Sequence, residues 1–336
     1  MNRRDFVRIT GGVLAALHAR GVGPCAAAPR RTDPDLLAAG LTAMARASGW
    51  FEAHWGAALL AGHYLVLDPA LDAATARAIR DELDLVLVHR ADQVRPFPAA
   101  AADPRAVEQV ARSLAPALTG GLRAHGHAAI YTALALRALR DAPHLAIAAI
   151  TDRLVGWNRT IARKVPTAPR AEPAPRPREQ LAARTLSRLR DFAPLVGLPR
   201  LPRPNFTHWV THTEALLRLA ALGHVELAEL GQPGLQAHLE YEVPDVGDSI
   251  AVDRAAVSFA NMLAPDYWRD ESHRAAWHRS WNERDSRNGD WIASGHLFKL
   301  LYAFTDLARA VDDRELVERS AVVLFERYFD PEVGGG

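Results

Sequence analysis

The chain of 336 residues has the composition of a globular protein, with 49% hydrophobic and 24% charged residues, and its length allows one large domain or two ordinary ones. The formal net charge is +1, and removing residues 1–28, with four arginines and one aspartate, changes it to −2. This lack of basic surplus argues against nucleic acid as a partner. The single cysteine, Cys25, excludes an internal disulfide, so any metal ion in the body of the chain would need histidine and oxygen ligands.

Residues 1–28 resemble a twin-arginine export signal. Arg3-Arg4-Asp5-Phe6-Val7 precedes a short apolar stretch, Thr10 to Leu17, and Cys25-Ala26-Ala27-Ala28 offers small residues for cleavage. The pattern predicts that the twin-arginine export machinery delivers the protein to the periplasm or outside the cell. No other stretch has about 18 uninterrupted apolar residues, so the sequence predicts no membrane span.

The remainder, residues 32–332, is predicted to be all-α, because good helix formers dominate it and apolar residues recur at three- and four-residue spacing. We expect a single large helical bundle or toroid-like domain with inward-facing histidines on several helices. The predicted helices, in chain order, are Asp35–Leu60, Asp72–Val88, Asp103–Leu118, His127–Arg140, His144–Trp157, Glu179–Phe192, His208–Leu222, Asp253–Met262, Trp268–Trp281, His296–Val311 and Arg314–Tyr328.

Residues 165–178 form a connector rich in proline and arginine, which is incompatible with a helix or an inner strand. We interpret it as a long surface loop within one helical domain, although such a segment can also separate two halves. Polar turns are predicted at Glu242–Ile250 and Asn282–Asp290.

Four predicted helices begin in the same way, with a histidine early in an apolar run: His54, His127, His208 and His296. Their spacings of 73, 81 and 88 residues are too irregular for a solenoid repeat. They fit a bundle in which separate helices each present one metal ligand. A single histidine on an apolar helix is usually a hydrogen-bonded core residue, so the prediction depends on all four together.

Two further histidines, His125 and His212, nearly duplicate His127 and His208 and leave the choice of ligand open within each pair. The other histidines, His238 among them, lack this setting and are interpreted as surface or structural residues. Glu214 is a candidate for orienting His212 or another imidazole through a hydrogen bond. The aromatic residues beside the four histidines are candidate pocket walls: Trp55, Trp209, Phe298 and Tyr302.

Lys299 follows His296 by three residues and therefore lies on the same helix face. It is one of only two lysines among 40 basic residues, so a general cation in this chain would be expected to be arginine. A buried lysine can lose its proton, which arginine cannot. A neutral Lys299 amine can capture carbon dioxide as a carbamate and supply the anionic ligand that a histidine-bound cation needs in a buried site. The alternative is a lysine whose stem is half buried while its amine reaches solvent.

Three blocks of the chain resemble those of the questin oxidase-like family. Gly126-His127-Ala128-Ala129-Ile130-Tyr131-Thr132 is similar to the family's H-G-x-I-R-T block, Phe206-Thr207-His208-Trp209-Val210-Thr211 to its F-x-H-x-V-T block, and His296-Leu297-Phe298-Lys299 to its H-x-x-K block. The similarity extends over most of residues 40–315, and His54 matches an early block more weakly. Tyr131 stands where the family block usually has arginine.

The resemblance implies a non-heme iron oxygenase that uses molecular oxygen as co-substrate and acts on a small aromatic, polyketide-like molecule. It implies Fe(II) bound by His54, His127, His208, His296 and a carboxylated Lys299, with carbon dioxide present as the lysine carbamate. Another divalent metal in this ligand set is the alternative to iron. Tyr131, one turn from His127, is the candidate catalytic residue, as a hydrogen-bond donor to substrate or oxygen.

Two alternatives belong to other functional classes. A helical enzyme acting on cell-envelope glycan would need paired carboxylates across a cleft, such as Asp245 or Asp248 with Asp290. A metal-free binding or scaffold protein would need neither carboxylates nor convergent histidines. Convergence of the four imidazoles and Lys299 on one point favours the oxygenase, and dispersal favours the scaffold.

Overall fold

The computed structural model describes residues 34–170, 176–196, 204–245, 262–280 and 295–329. Within these ranges the chain forms fourteen α-helices and no strand, which confirms the predicted all-α class. The helices are α1 (Pro34–Arg46), α2 (His54–Val66), α3 (Ala73–His89), α4 (Ala91–Val94), α5 (Pro104–Leu118), α6 (His127–Asp141), α7 (Ala148–Ala162), α8 (Arg178–Arg190), α9 (Phe206–Ala221), α10 (Val225–Leu239), α11 (Pro265–Arg269), α12 (Glu271–Ser280), α13 (His296–Arg309) and α14 (Arg314–Phe329). Short 3-10 turns occupy Ala124–Gly126, Pro143–Leu145 and Ala193–Leu195.

Four helices, α2, α6, α9 and α13, form the centre of the fold. Helix α2 packs against α6 and α13, and α9 packs against the same two helices, so the four make a closed ring of contacts. Nearly every residue of α2 and α13 is buried, as expected for helices at the centre of the fold. The remaining described helices pack around this ring, with α1 on α2, α10 on α9 and α3 on α2.

The predicted helix Asp35–Leu60 is wrong as one element, because residues 47–53 form a turn that separates α1 from α2. The two helices then pack against each other through glycines. A Cβ atom on Gly56 would lie 2.4 Å from the Gly40 carbonyl oxygen and 2.4 Å from the Met44 side chain. The apolar periodicity continues across the turn because both helices bury their apolar faces.

Helix α10 is absent from the predicted helices, because Gly231, Pro233 and Gly234 lie in its middle. A Cβ on Gly231 would lie 2.5 Å from the Leu216 side chain, so this glycine lets α10 approach α9 closely.

Two other boundaries differ from prediction. The segment at His144 is a 3-10 turn before α7, and the predicted helix Trp268–Trp281 is divided at Asp270.

The predicted export signal, the predicted helix Asp253–Met262 apart from its last residue, and the turn Asn282–Asp290 lie outside the described residues. None of the described helices combines the length and the apolar character that crossing a bilayer demands. In the connector 165–178, Thr167 exchanges backbone hydrogen bonds of 2.8 Å with Leu122, which ties its first residues to the segment before α6.

Candidate metal centre

The N-terminal ends of the four central helices meet in the interior, and each carries one of the four predicted histidines. His54, His127 and His296 are the first residues of α2, α6 and α13, and His208 is the third residue of α9. All four are at most 3% exposed. The predicted arrangement of inward-facing histidines on separate helices is therefore confirmed.

Two of these histidines directly follow a glycine with a left-handed backbone. Gly126 has φ of 81° and Gly295 has φ of 65°, which favours glycine over any residue with a Cβ atom. A Cβ would also lie 2.5 Å from the His212 ring at Gly126 and 2.3 Å from the Ala58 Cβ at Gly295. The glycines thus turn the chain into α6 and α13 where neighbouring side chains leave no further space.

Three of the four histidines, His54, His208 and His296, meet the geometric requirement for a shared metal ion. One ligand nitrogen from each lies within 4.8 Å of the others, and all three residues are buried. The ring centroids are 4.8 Å apart for His54 and His296 and 5.3 Å for His208 and His296. These residues come from three different helices and lie up to 242 positions apart in the chain. The described part of the protein therefore contains a buried three-histidine group that can hold a metal ion.

His127 places a fourth imidazole beside two members of this group. Its Nε2 lies 2.8 Å from Nε2 of His54 and 3.1 Å from Nε2 of His208. Its Nδ1 faces the Ala124 carbonyl oxygen, and Nδ1 of His54 lies 2.5 Å from the Phe51 carbonyl oxygen. Because a carbonyl oxygen only accepts, both Nδ1 atoms carry the ring proton in the neutral imidazoles. The two facing Nε2 atoms then present lone pairs to each other, which is repulsive unless a cation lies between them.

Burial keeps the imidazoles of His54, His127 and His208 uncharged. It lowers the pKa of His127 to about 3 and lowers the pKa values of His54 and His208 well below their usual range, with further lowering from the neighbouring histidines and Lys299. Neutral imidazole is the form that binds metal ions. A proton shared between the rings is therefore disfavoured at neutral pH, whereas a metal ion would use the same lone pairs.

Lys299 and Tyr131 accompany the histidines. Lys299 lies on α13 one turn after His296 and is 4% exposed, so it does not extend its amine to solvent. Burial lowers the pKa of its amine well below the usual range. The Tyr131 hydroxyl lies 2.7 Å from Nδ1 of His54, and burial raises the pKa of this phenol well above its usual range.

The duplicate histidines, His125 and His212, lie beside this group and not within it. His125 stacks on His208 with a centroid distance of 5.4 Å, while His212 packs against Gly126. His238, interpreted from sequence as a surface or structural residue, is 8% exposed and lies between them, 5.9 Å from the His125 ring and 5.8 Å from the His212 ring. No sequence signal marks His238, because it comes from α10, the helix that the apolar pattern does not predict.

Glu214 does not orient an imidazole, contrary to the sequence interpretation. It accepts a hydrogen bond of 2.8 Å from the Tyr302 hydroxyl and another of 3.1 Å from Arg218. The other candidate pocket aromatics also have identified neighbours, since Phe298 stacks on Trp268 and Trp209 packs against Phe192. Of the carboxylates that a glycan-cleaving enzyme would need, Asp248 and Asp290 lie outside the described residues.

Comparisons with known proteins give no relative from which to transfer a function. The chain matches no family model, no curated protein and no solved structure. The chemistry of the buried histidines is therefore the basis for any functional assignment.

Proposed function

We propose that the protein is a metal-dependent oxygenase, with non-heme iron as its metal, that oxidises or cleaves a small aromatic molecule, as the resemblance to the questin oxidase-like family implies. The observation that carries the proposal is the convergence of buried imidazoles from four helices. The nitrogens of His54, His208 and His296 lie within 4.8 Å of one another, and Nε2 of His127 lies next to two of them.

The absence of cysteine from the described residues and the set of nitrogen donors suit iron, copper, zinc or nickel. When bound, an Fe(II) ion would supply the binding and activation of molecular oxygen. The protein would hold the ion through imidazole nitrogens, and the carbonyl oxygens of Phe51 and Ala124 would fix the ring orientation of His54 and His127 by accepting from their Nδ1–H groups.

A cation in this position needs a nearby negative charge, because it is buried and lies at the positive ends of four helices. Lys299 is suited to provide that charge. Its amine is buried and its pKa is lowered, so it is neutral and able to form a carbamate with carbon dioxide. The carbamate converts a potential cation into an anionic oxygen ligand, which an arginine at this position could not do.

Tyr131 would contact His54 and the substrate and would not itself bind the metal. The single N–H of His54 Nδ1 is shared between the Phe51 carbonyl oxygen and the Tyr131 hydroxyl oxygen, at 2.5 and 2.7 Å. Tyr131 accepts at this contact and keeps its own proton, since burial raises the pKa of its phenol. That proton is available as a hydrogen-bond donor to an oxygen atom of the substrate.

Metal analysis tests the proposal directly. Protein produced with iron and bicarbonate is expected to hold about one metal ion per chain, measured by plasma mass spectrometry. Lys299→Ala and Lys299→Arg should both lose the metal, because neither side chain forms a carbamate, and acetate or propionate should restore it to Lys299→Ala only. Tyr131→Phe should keep the metal and lower oxygen consumption with an aromatic substrate. Folded wild-type protein that takes up no metal would refute the proposal.

A further inference from the structure

A second histidine group lies against the candidate metal centre. It consists of His125, His212 and His238, which we call the outer histidines. Their rings are linked through His238, with centroid distances of 5.9 Å to His125 and 5.8 Å to His212. His125 also stacks on His208 at 5.4 Å, so the outer histidines continue directly from the metal-binding group.

The hydrogen-bonding capacity of the outer histidines is largely unused within the described residues. His212 is 2% exposed, and neither of its ring nitrogens has a hydrogen-bond partner there. His238 is 8% exposed, and its Nδ1 has none. A neutral imidazole carries one N–H donor and one acceptor nitrogen, and leaving a buried polar group unsatisfied costs about 1–3 kcal/mol. This cost is expected to be recovered when a ligand binds.

The charges around the outer histidines favour an anionic ligand over a second cation. Burial lowers the pKa values of all three outer histidines, and for His238 the neighbouring His212, His125 and His127 lower the pKa further. The N-terminal ends of α6 and α9 lie beside them and carry partial positive charge. A second divalent ion would thus meet neutral ligands, positive helix ends and the first metal ion. A ligand oxygen with negative charge would instead meet N–H donors and positive charge.

The turn that carries His125 brings one of the outer histidines to the surface. His125 is exposed, whereas His212 and His238 are buried behind it. Ala124, His125 and Gly126 have φ values of 44°, 52° and 81°, so two residues other than glycine adopt left-handed backbone next to the metal centre. Such backbone strain of about 1–3 kcal/mol per residue is concentrated in proteins at binding and catalytic sites.

We propose that the outer histidines bind an anionic oxygen of a small organic ligand, a phenolate or carboxylate group, and position that ligand against the metal centre. The ligand enters beside His125, and His212 and His238 donate hydrogen bonds to its oxygen. The position next to the metal depends on the proposed function, whereas recognition of the oxygen by the outer histidines does not.

The test measures ligand affinity and metal content in the same samples. The probe is 4-nitrophenol at a pH at which its phenolate absorbs visible light, and benzoate serves as a competitor that reports carboxylate binding. His212→Leu and His238→Leu are each expected to weaken binding of the preferred probe by about tenfold, the effect of losing one hydrogen bond to a charged group. His212→Asn keeps an amide donor and should retain most of the affinity. His144→Leu, on an exposed turn, is the matched control.

Unchanged affinity in folded His212→Leu and His238→Leu proteins would overturn the proposal. Loss of the metal in these variants would also overturn it, because they would then belong to the metal centre. Wild-type protein that holds no metal, yet binds 4-nitrophenol through His212 and His238, would refute the proposed oxygenase and support the oxyanion site.

Discussion

Two polar clusters, one buried and one partly buried, share the central helices, and they differ in how completely their groups are paired. One is the histidine group at the N-terminal ends of α2, α6, α9 and α13. The other, which we call the paired network, lies farther along α6, α9 and α13 and consists of Arg137, Glu214, Arg218, Tyr302 and Asp306. Glu214 follows His208 by six residues and Tyr302 follows His296 by six, which is about 9 Å along a helix.

The paired network satisfies its charges internally. Tyr302 donates to Glu214 and accepts from Arg137 at 2.7 Å, and Arg218 forms ion pairs with both Glu214 and Asp306. Burial raises the pKa of Glu214, while Arg218 opposes that shift. In the histidine group, by contrast, lone pairs face each other, and Nδ1 of His208 has no hydrogen-bond partner within the described residues. Within the described residues, Nε of Arg137 is the one buried side-chain atom of the paired network without a hydrogen-bond partner. Pairing of opposite charges indicates a role in stability, whereas facing lone pairs indicate a role in binding.

The largest effect that would distinguish the two clusters is loss of the metal. His208→Ala should lower metal affinity by at least about 100-fold, because it removes a ligand, and even changes to residues that only support ligands cost 10–100-fold. Glu214→Gln should leave the metal content near that of the wild type. Plasma mass spectrometry on both variants, with His144→Ala as the control, checks this difference. Equal metal loss in all of them would contradict the division into a binding cluster and a structural one.

The opposite ranking is expected for stability, to which the paired network should contribute strongly. Glu214→Ala should lower the free energy of unfolding by about 3 kcal/mol, because it leaves Arg218 and Tyr302 with an incomplete set of partners in the interior. The matched control is Glu315→Ala, which breaks a 2.6 Å ion pair with Arg319 whose side chains are 60% and 72% exposed. That change should cost at most about 1 kcal/mol. Urea unfolding of the metal-free proteins measures both, and similar losses would show that the paired network has no special role.

A smaller effect is predicted at the turn before α6. Gly126→Ala should lower the free energy of unfolding by about 1–3 kcal/mol, because the new Cβ requires a strained left-handed backbone and contacts the His212 ring. The control is Gly156→Ala within α7, where a Cβ meets nothing within 4 Å. It should be neutral or stabilise the protein by up to about 1 kcal/mol. If both alanine variants have the same stability, the turn is not constrained as described.

The last effect is the pH dependence of stability in metal-free protein. Burial lowers the pKa of His127 to about 3 and that of His212 to about 4, whereas both titrate near 6.5 in an unfolded chain. Below pH 6.5 the unfolded chain binds more protons, so stability is complete above that pH and falls as the pH decreases toward 4. Each residue contributes a loss of about 1.4 kcal/mol per pH unit. Urea unfolding at pH 7, 6 and 5 should show a shallower dependence for His212→Leu, and an unchanged dependence would contradict the assignment.

The local features of this fold are readable from sequence, because apolar periodicity reflects burial of individual helices. The positions of α6, α9 and α13 follow from it, and the repeated placement of a histidine at a helix start indicates which side chains share an environment. The sequence does not predict helix α10, because Pro233 and two glycines are typical helix-breaking residues. In the structure the packing of α10 against α9 accommodates them. The hydrogen-bond partner of Glu214 is also not predictable from the sequence, because Tyr302 is 88 residues away and only tertiary packing brings the two residues together.

The long separation of His54 from His296 has a consequence for assembly. A metal ion bound by the whole group would act as a crosslink between segments 242 residues apart, like a disulfide that closes a very large loop. No fragment that ends before α13 contains the full ligand set. Metal uptake would therefore be a late step that reports completed folding, and the loaded protein should resist proteolysis better than the same chain after chelation.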